Sequence, residues 1–336
     1  MARQLLLTTL KNAGLDGFLL TLVSVVVMAS FWSEPGIYGG VIPLNNIGNY
    51  GISIIFFFYG LKLNPQKLQA GLSNWRLHIV VQLATFVLFP IIALIVMFTA
   101  GGKASNLLWL GFFFLASLPS TVSSSVVMVS IAKGNIPAAI FNASISAIIG
   151  VLITPLWMGI FLTTSGSADL GHVILTLVLQ VFVPAILGML LNRKFGWILE
   201  KYSKALQLFD QTIIVIIIYC SFCESFANNM FSGFSLWNII LLGMAMIAFF
   251  FLIYGIIYIV CKALHFNRED KITTLFCGSK KSLVHGTVMS KVLFPNLTSV
   301  GIILLPLMLY HALQLMVVNV IVRSMARNDL KKITKS

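Results

Sequence analysis

Two adjacent lysines, Lys280 and Lys281, interrupt an otherwise apolar stretch, within Cys277-Gly278-Ser279-Lys280-Lys281-Ser282. An earlier apolar stretch is broken by Leu118-Pro119-Ser120-Thr121-Val122-Ser123-Ser124-Ser125. Ammonium groups in apolar surroundings are costly and mark a functional site by default. They offer counter-charge to an anion. Hydroxyl and amide oxygens offer neutral ligands to a hard cation, and the candidates for that role are Thr121, Ser123, Ser124, Ser125, Asn142 and Ser146. Asn142 and Ser146 are four residues apart, so on a helix they share a face. Lys280, Lys281, Ser282, His285 and Asn135 are the candidates for contact with an organic substrate. Plainer readings stand beside these. The hydroxyls can bond carbonyls and let helices approach closely, the breaks can be proline or glycine kinks, and the lysines can snorkel to an interface instead of facing a cavity.

The elements that would position these groups follow from composition. The chain has 336 residues, 59% hydrophobic and 9% charged, far below the charge content of a soluble domain. It has room for about ten spans of roughly 20 residues. The net charge of +13 is spread over short loops between apolar runs, which reads as a membrane orientation signal and not as a nucleic-acid surface. The four cysteines lie in or beside apolar runs, so no disulfide framework is expected, and Cys220-x-x-Cys223 reads as helix packing. No secretory leader is expected, because Lys11, Asn12 and Asp16 break the first apolar run. No nucleophile–base pair, metal-spaced ligand set or phosphate loop is present, so an enzyme is not expected.

After a lead-in over 1–15, hydropathy predicts spans at 16–33, 45–63, 77–99, 106–132, 136–163, 170–192, 207–227, 236–262, 272–294 and 299–323. A short Pro65-led helix is expected between the second and third spans, and a basic loop after residue 192. Eighteen of the 22 lysines and arginines fall on one side of this pattern. Lys103 and Lys291 fall on the other, and Lys280 and Lys281 lie within it. The asymmetry places both termini in the cytoplasm and requires an even number of spans. Division after residue 163 gives two halves, 1–163 and 164–336, each with five spans and each broken in its fourth. Five is odd, so the halves are inverted relative to one another. Broken helices crossing near the midplane are then expected to build a transport site. The expected fold is an all-α polytopic membrane protein of ten transmembrane helices, in two inverted five-helix repeats.

Pro119 with its hydroxyl run, Lys133-Gly134-Asn135, Thr154-Pro155 and the segment Cys277 to Leu283 together resemble the bile acid:sodium symporter family, in its divergent bacterial branch. That branch also includes a vertebrate member implicated in calcium regulation. The resemblance implies a core of spans 3–5 and 8–10, a panel of spans 1–2 and 6–7, and a substrate cavity between them. It also implies departures. The family's span 9 carboxylate aligns with Phe276, and its next two polar ligands align with Lys280 and Lys281. A span 3 glutamine ligand aligns with Thr85, with Gln82 one turn earlier, and the span 5 hydroxyl ligands fall on Ala139 and Ala143. The expectation is a secondary transporter of a small organic anion in a bacterial inner membrane. It would work by alternating access, without a cofactor, coupled to at most one sodium ion or to protons. Lys280 is the expected stand-in for a lost sodium ion. The alternative is a non-transporting regulator of calcium homeostasis.

Overall fold

A computed structural model of the chain describes residues 17–37, 43–62, 74–103, 106–162, 175–176, 178–295 and 297–333. The lead-in, the Pro65-led helix, the boundary at 163–164 and the first residues of the predicted sixth span lie outside the described residues. All regular structure among the described residues is helical. Ile213-Ile214-Val215-Ile216-Ile217-Ile218 would read as a strand in water, yet it lies inside a 25-residue helix. In a bilayer the backbone must satisfy itself, and a helix does so locally whatever the side-chain propensity.

The helices are α1 (Gly17–Phe31), α2 (Leu44–Lys62) and α3 (Trp75–Thr99), the last with a π turn at Ala84–Leu88. Then come α4 (Leu107–Ser117), α5 (Ser123–Ile131), α6 (Ile136–Leu162) and α7 (Val183–Lys201, entered through a π turn at Val178–Phe182). The chain closes with α8 (Ser203–Ala227), α9 (Leu236–Ala263), α10 (Arg268–Gly278), α11 (Leu283–Leu293) and α12 (Val300–Ile333). Among the described residues six helices are long and apolar enough to cross a membrane, and α1 and α4 are shorter apolar helices. The outer faces carry exposed apolar side chains such as Val23, Ile95, Leu190, Phe251 and Ile259, while Trp32, Trp75, Trp197, Tyr202 and Trp237 are exposed at or near helix ends. This is an integral membrane protein, with aromatic residues where interfaces would lie.

The predicted spans match these helices closely except after the sixth and the tenth, where α12 continues as helix to Ile333, past the predicted end at 323. The expected loop from residue 193 is helical to Lys201, and only Tyr202 separates α7 from α8. Arg, Lys, Leu and Glu favour helix, and hydropathy marks where the apolar face ends, not where the helix does.

Helices α1, α2, α7 and α8 pack together, α3–α6 pack with α9–α12, and α8 touches both sets through α11 and α12. The α2–α7 contact is the closest. A Cβ on Gly60 would overlap the Ala185 carbonyl oxygen, and one on Gly188 would overlap the Phe57 carbonyl oxygen. Asn192 Nδ2 then donates to Leu61 O at 2.6 Å. Small residues at such seams let dispersion and backbone contacts replace the hydrophobic drive that lipid removes. Gly188→Val should therefore lower the melting temperature and broaden the size-exclusion peak in detergent, since overpacking costs about 1–3 kcal/mol. Gly255→Val, at an α9 position with nothing within 4 Å, should change neither, and equal behaviour of the two variants would refute the seam.

Candidate functional site

Both predicted breaks exist, over 118–122 and 279–282. The first is shorter than the Leu118 to Ser125 stretch read from the sequence, because Ser123 to Ser125 already form the first turn of α5. The two breaks meet. Ser282 N donates to Pro119 O at 3.0 Å, and Ser120 Oγ donates to Cys277 O at 2.6 Å. Their freed backbone groups are taken up by side chains from neighbouring helices. Ser146 Oγ accepts from Ser120 N, Thr154 Oγ1 donates to Ser117 O, and Tyr310 OH donates to Ser279 O. Gln314 pairs with the backbone of Lys281, accepting from its N–H at 3.0 Å and donating to its carbonyl at 2.8 Å. Irregular backbone in an apolar interior persists only when paired in this way.

Lys281 is fully buried. Its Nζ donates to three backbone carbonyls, Thr85 O, Ala116 O and Leu118 O, each at 2.7 Å, and lies 4.1 Å from the Phe89 ring centroid. These acceptors are free for local reasons. Pro90 follows Thr85 by five residues and lacks the N–H that would close the π-register bond, which leaves Thr85 O open. Ala116 O and Leu118 O lie at the C-terminal end of α4, where carbonyls are unpaired and the dipole favours a cation. A three-donor ammonium thus meets three acceptors in a cage. Lys280 is also fully buried, and its Nζ donates to Ser124 O at 3.0 Å, in the first turn of α5.

The candidate cation ligands divide into two groups. Thr121 Oγ1 bonds Ser125 Oγ at 2.7 Å and accepts from Ser124 Oγ at 2.8 Å, and Ser125 Oγ reaches Phe276 O at 3.3 Å. Asn142 faces α3 instead, where it meets His78 Nδ1 at 2.9 Å and accepts from Gln82 Nε2 at 3.2 Å. Ser146, on the same face, is spent on the first break. Nothing is described for the Ser123 side chain. The hydroxyl cluster of Thr121, Ser124 and Ser125 has the Lys280 ammonium bonded to one of its backbone carbonyls, Ser124 O. Among the described residues no three His, Cys, Asp or Glu side chains cluster for a metal.

Asn135 lies away from the breaks. It donates to Asp270 Oδ1, and its own N–H reaches Thr273 Oγ1, at the start of α10. Asp270 also accepts from Asn74 and Asn267, so this carboxylate ties together the starts of α3, α6 and α10. His285, by contrast, lines a cavity of about 40 Å³ with Phe56, Tyr59, Lys62, Val122 and Ser144 among its walls. Its Nδ1 is 2.9 Å from Ser282 Oγ, and its ring stacks on Tyr59 with centroids 5.0 Å apart. Val122 is the residue before α5 and His285 lies in the first turn of α11, so two helix N-termini border the cavity. Both ends carry partial positive charge. Gln314, Tyr59 and Lys62 were not candidates from sequence. Gln314 alone carried a usable signal, an amide in the middle of an apolar span.

A profile of the SBF-like CPA transporter family matches residues 16–327 of the chain. The chain is 36% identical over 319 residues to an uncharacterized protein of Pseudomonas aeruginosa, with 93% of each chain covered. It is 33% identical over 314 residues to the Escherichia coli protein named "Putative symporter YfeH", again covering 93% of each. To the zebrafish (Danio rerio) protein named sodium/bile acid cotransporter 7 it is 30% identical over 321 residues, covering 92% of this chain and 93% of the other.

Proposed function

The chain belongs to the SBF-like CPA transporter family, and from that membership we propose that it is a secondary active transporter of a small organic anion, working by alternating access. One observation carries the anion. The His285 cavity is bordered by the N-termini of α5 and α11 and has Lys62 in its wall. Paired half-helix N-termini aimed at one space favour negative charge. At about 40 Å³ the cavity is far below the several hundred Å³ of an organic-ligand site. In this reading the described arrangement is a closed one, and transport requires it to open.

The opening would separate two bodies, a panel of α1, α2, α7 and α8 and a core of α3–α6 with α9–α12. The way these helices pack supports that division. Counting α4–α5 and α10–α11 each as one broken span, the chain makes ten crossings in two inverted halves, 1–163 and 164–336. Both termini then lie on the cytoplasmic side of a bacterial inner membrane. The Lys281 ammonium, held by three carbonyls that include Thr85 O, acts as a resident cation at a place where the resemblance puts a sodium ligand. That role fits Lys281 better than Lys280, to which the sequence assigned it. Coupling to sodium is weak as a result.

The test is uptake by purified protein in liposomes. Labelled cholate, chosen because relatives are named for bile acids, and smaller labelled carboxylates should enter faster than into empty liposomes and should exchange against unlabelled substrate inside. Rates equal to those of empty liposomes for every anion would reject the transporter and favour the regulator.

A further inference from the structure

Two buried polar atoms near the cavity have no hydrogen-bond partner among the described residues, His285 Nε2 and Asp210 Oδ1. His285 is 1% exposed. Its Nδ1 faces Ser282 Oγ, Tyr59 and Phe56 hold the ring, and the remaining nitrogen of a ring that lines the cavity is unused. An unpaired nitrogen in apolar surroundings is costly and suits an incoming acceptor when it carries its proton. Lys62 lines the same cavity and lies 5.0 Å from the Tyr59 ring centroid. A carboxylate in the cavity would therefore find two donors against one aromatic ring.

Lys62 already has an anionic partner. Its Nζ lies 3.5 Å from Asp210 Oδ2 on α8, well beyond the roughly 2.7–2.9 Å of a strong charge-assisted hydrogen bond. The second oxygen of that carboxylate is one of the two unpaired atoms. The pair is loose and half-satisfied. The Lys62 side chain is 40% exposed and that of Asp210 12%, so the lysine has room to turn from one partner to another. We propose that Lys62 and His285 Nε2 form the headgroup subsite for a carboxylate or other oxyanion, and that Asp210 is a built-in competitor which occupies Lys62 until the substrate arrives. The proposal rests on the transporter reading for its substrate, but its test reads binding alone.

The experiment titrates acetate, benzoate and cholate, as potassium salts, against detergent-solubilised full-length protein and follows the ligand-induced rise in melting temperature. Asp210→Asn keeps the shape and removes the competing charge, so half-saturation should fall about fivefold, while Lys62→Gln should raise it at least about tenfold. The double variant should resemble Lys62→Gln, because without the lysine there is nothing to compete for. A structural ion pair would behave otherwise, with Asp210→Asn lowering the ligand-free melting temperature and leaving half-saturation unchanged. That result, an unaffected Lys62→Gln, or a wild type that none of the three probes stabilises would overturn the proposal. Should Lys62→Gln not fold, Lys62→Arg should bind within about twofold of wild type, and loss of binding in it would count against the subsite. Failure of the parent reading looks different: wild type that binds these anions with the predicted dependence yet moves none across liposomes would overturn the transporter and leave the subsite standing.

Discussion

Lys281→Met is expected to abolish transport and to lower the melting temperature more than any other single substitution in the break region. Methionine keeps most of the stem and removes the ammonium. Thr85 O, Ala116 O and Leu118 O, each now bonded at 2.7 Å, would be left without that donor in a site with no exposure. Each unsatisfied carbonyl costs about 1–3 kcal/mol, so the sum is comparable to the roughly 5–15 kcal/mol that holds a typical fold together. Lys281→Ala separates loss of the charge from loss of the fold. It leaves a carbonyl-lined space of ammonium size, and added ammonium chloride should restore part of the melting temperature. Tetramethylammonium chloride, a cation without N–H donors, should not. Lys281→Met with wild-type uptake, or equal response of Lys281→Ala to both salts, would show that the ammonium is not what holds the two breaks together.

What could be read beforehand followed from polarity set in an apolar background. The breaks at Pro119 and Ser279, the two lysines and most helix bounds stand out because a bilayer interior tolerates so few polar groups. The partners of those groups did not stand out, because they are mostly backbone. Nothing in a sequence marks Thr85 O as an acceptor until Thr85 is placed in a π turn, five residues before Pro90. Asn135 shows the reverse problem. Its type and its place in a Lys-Gly-Asn turn suit a substrate contact, but Asp270 and Thr273, distant in sequence, claim it. The run of hydroxyls from Thr121 to Ser125 looked like one cation site with Asn142. Helical phase decides otherwise, turning Asn142 toward His78 and Gln82 on α3. The continuation of α7 to Lys201 was hidden because hydropathy reports the bilayer boundary and says nothing about the backbone beyond it.

Uptake by the unmodified protein is expected to differ by no more than about twofold between sodium and potassium media, while Lys280→Gln is expected to acquire stabilisation by sodium. Any cation at Thr121, Ser124 and Ser125 would sit beside the Lys280 ammonium, which is 3.0 Å from Ser124 O. At a separation of about 4 Å and an effective dielectric near 20, two unit charges repel by roughly 4 kcal/mol, which weakens binding by about a thousandfold. No carboxylate offsets that repulsion, since the position the resemblance gives to one is Phe276, which offers only its backbone carbonyl to Ser125. Glutamine at position 280 removes the charge and supplies an amide oxygen, so the hydroxyl cluster becomes a plausible sodium ligand set in the variant alone. The measurements are initial uptake rates in liposomes with either cation outside, and melting temperature against sodium chloride with potassium chloride as the ionic-strength control. Steep, cooperative sodium dependence in the unmodified protein, with a Hill coefficient near two, would mean that neither lysine stands in for an ion. A Lys280→Gln protein indifferent to sodium would mean that the hydroxyl cluster is packing and that the missing carboxylate, not the ammonium, is what keeps sodium out.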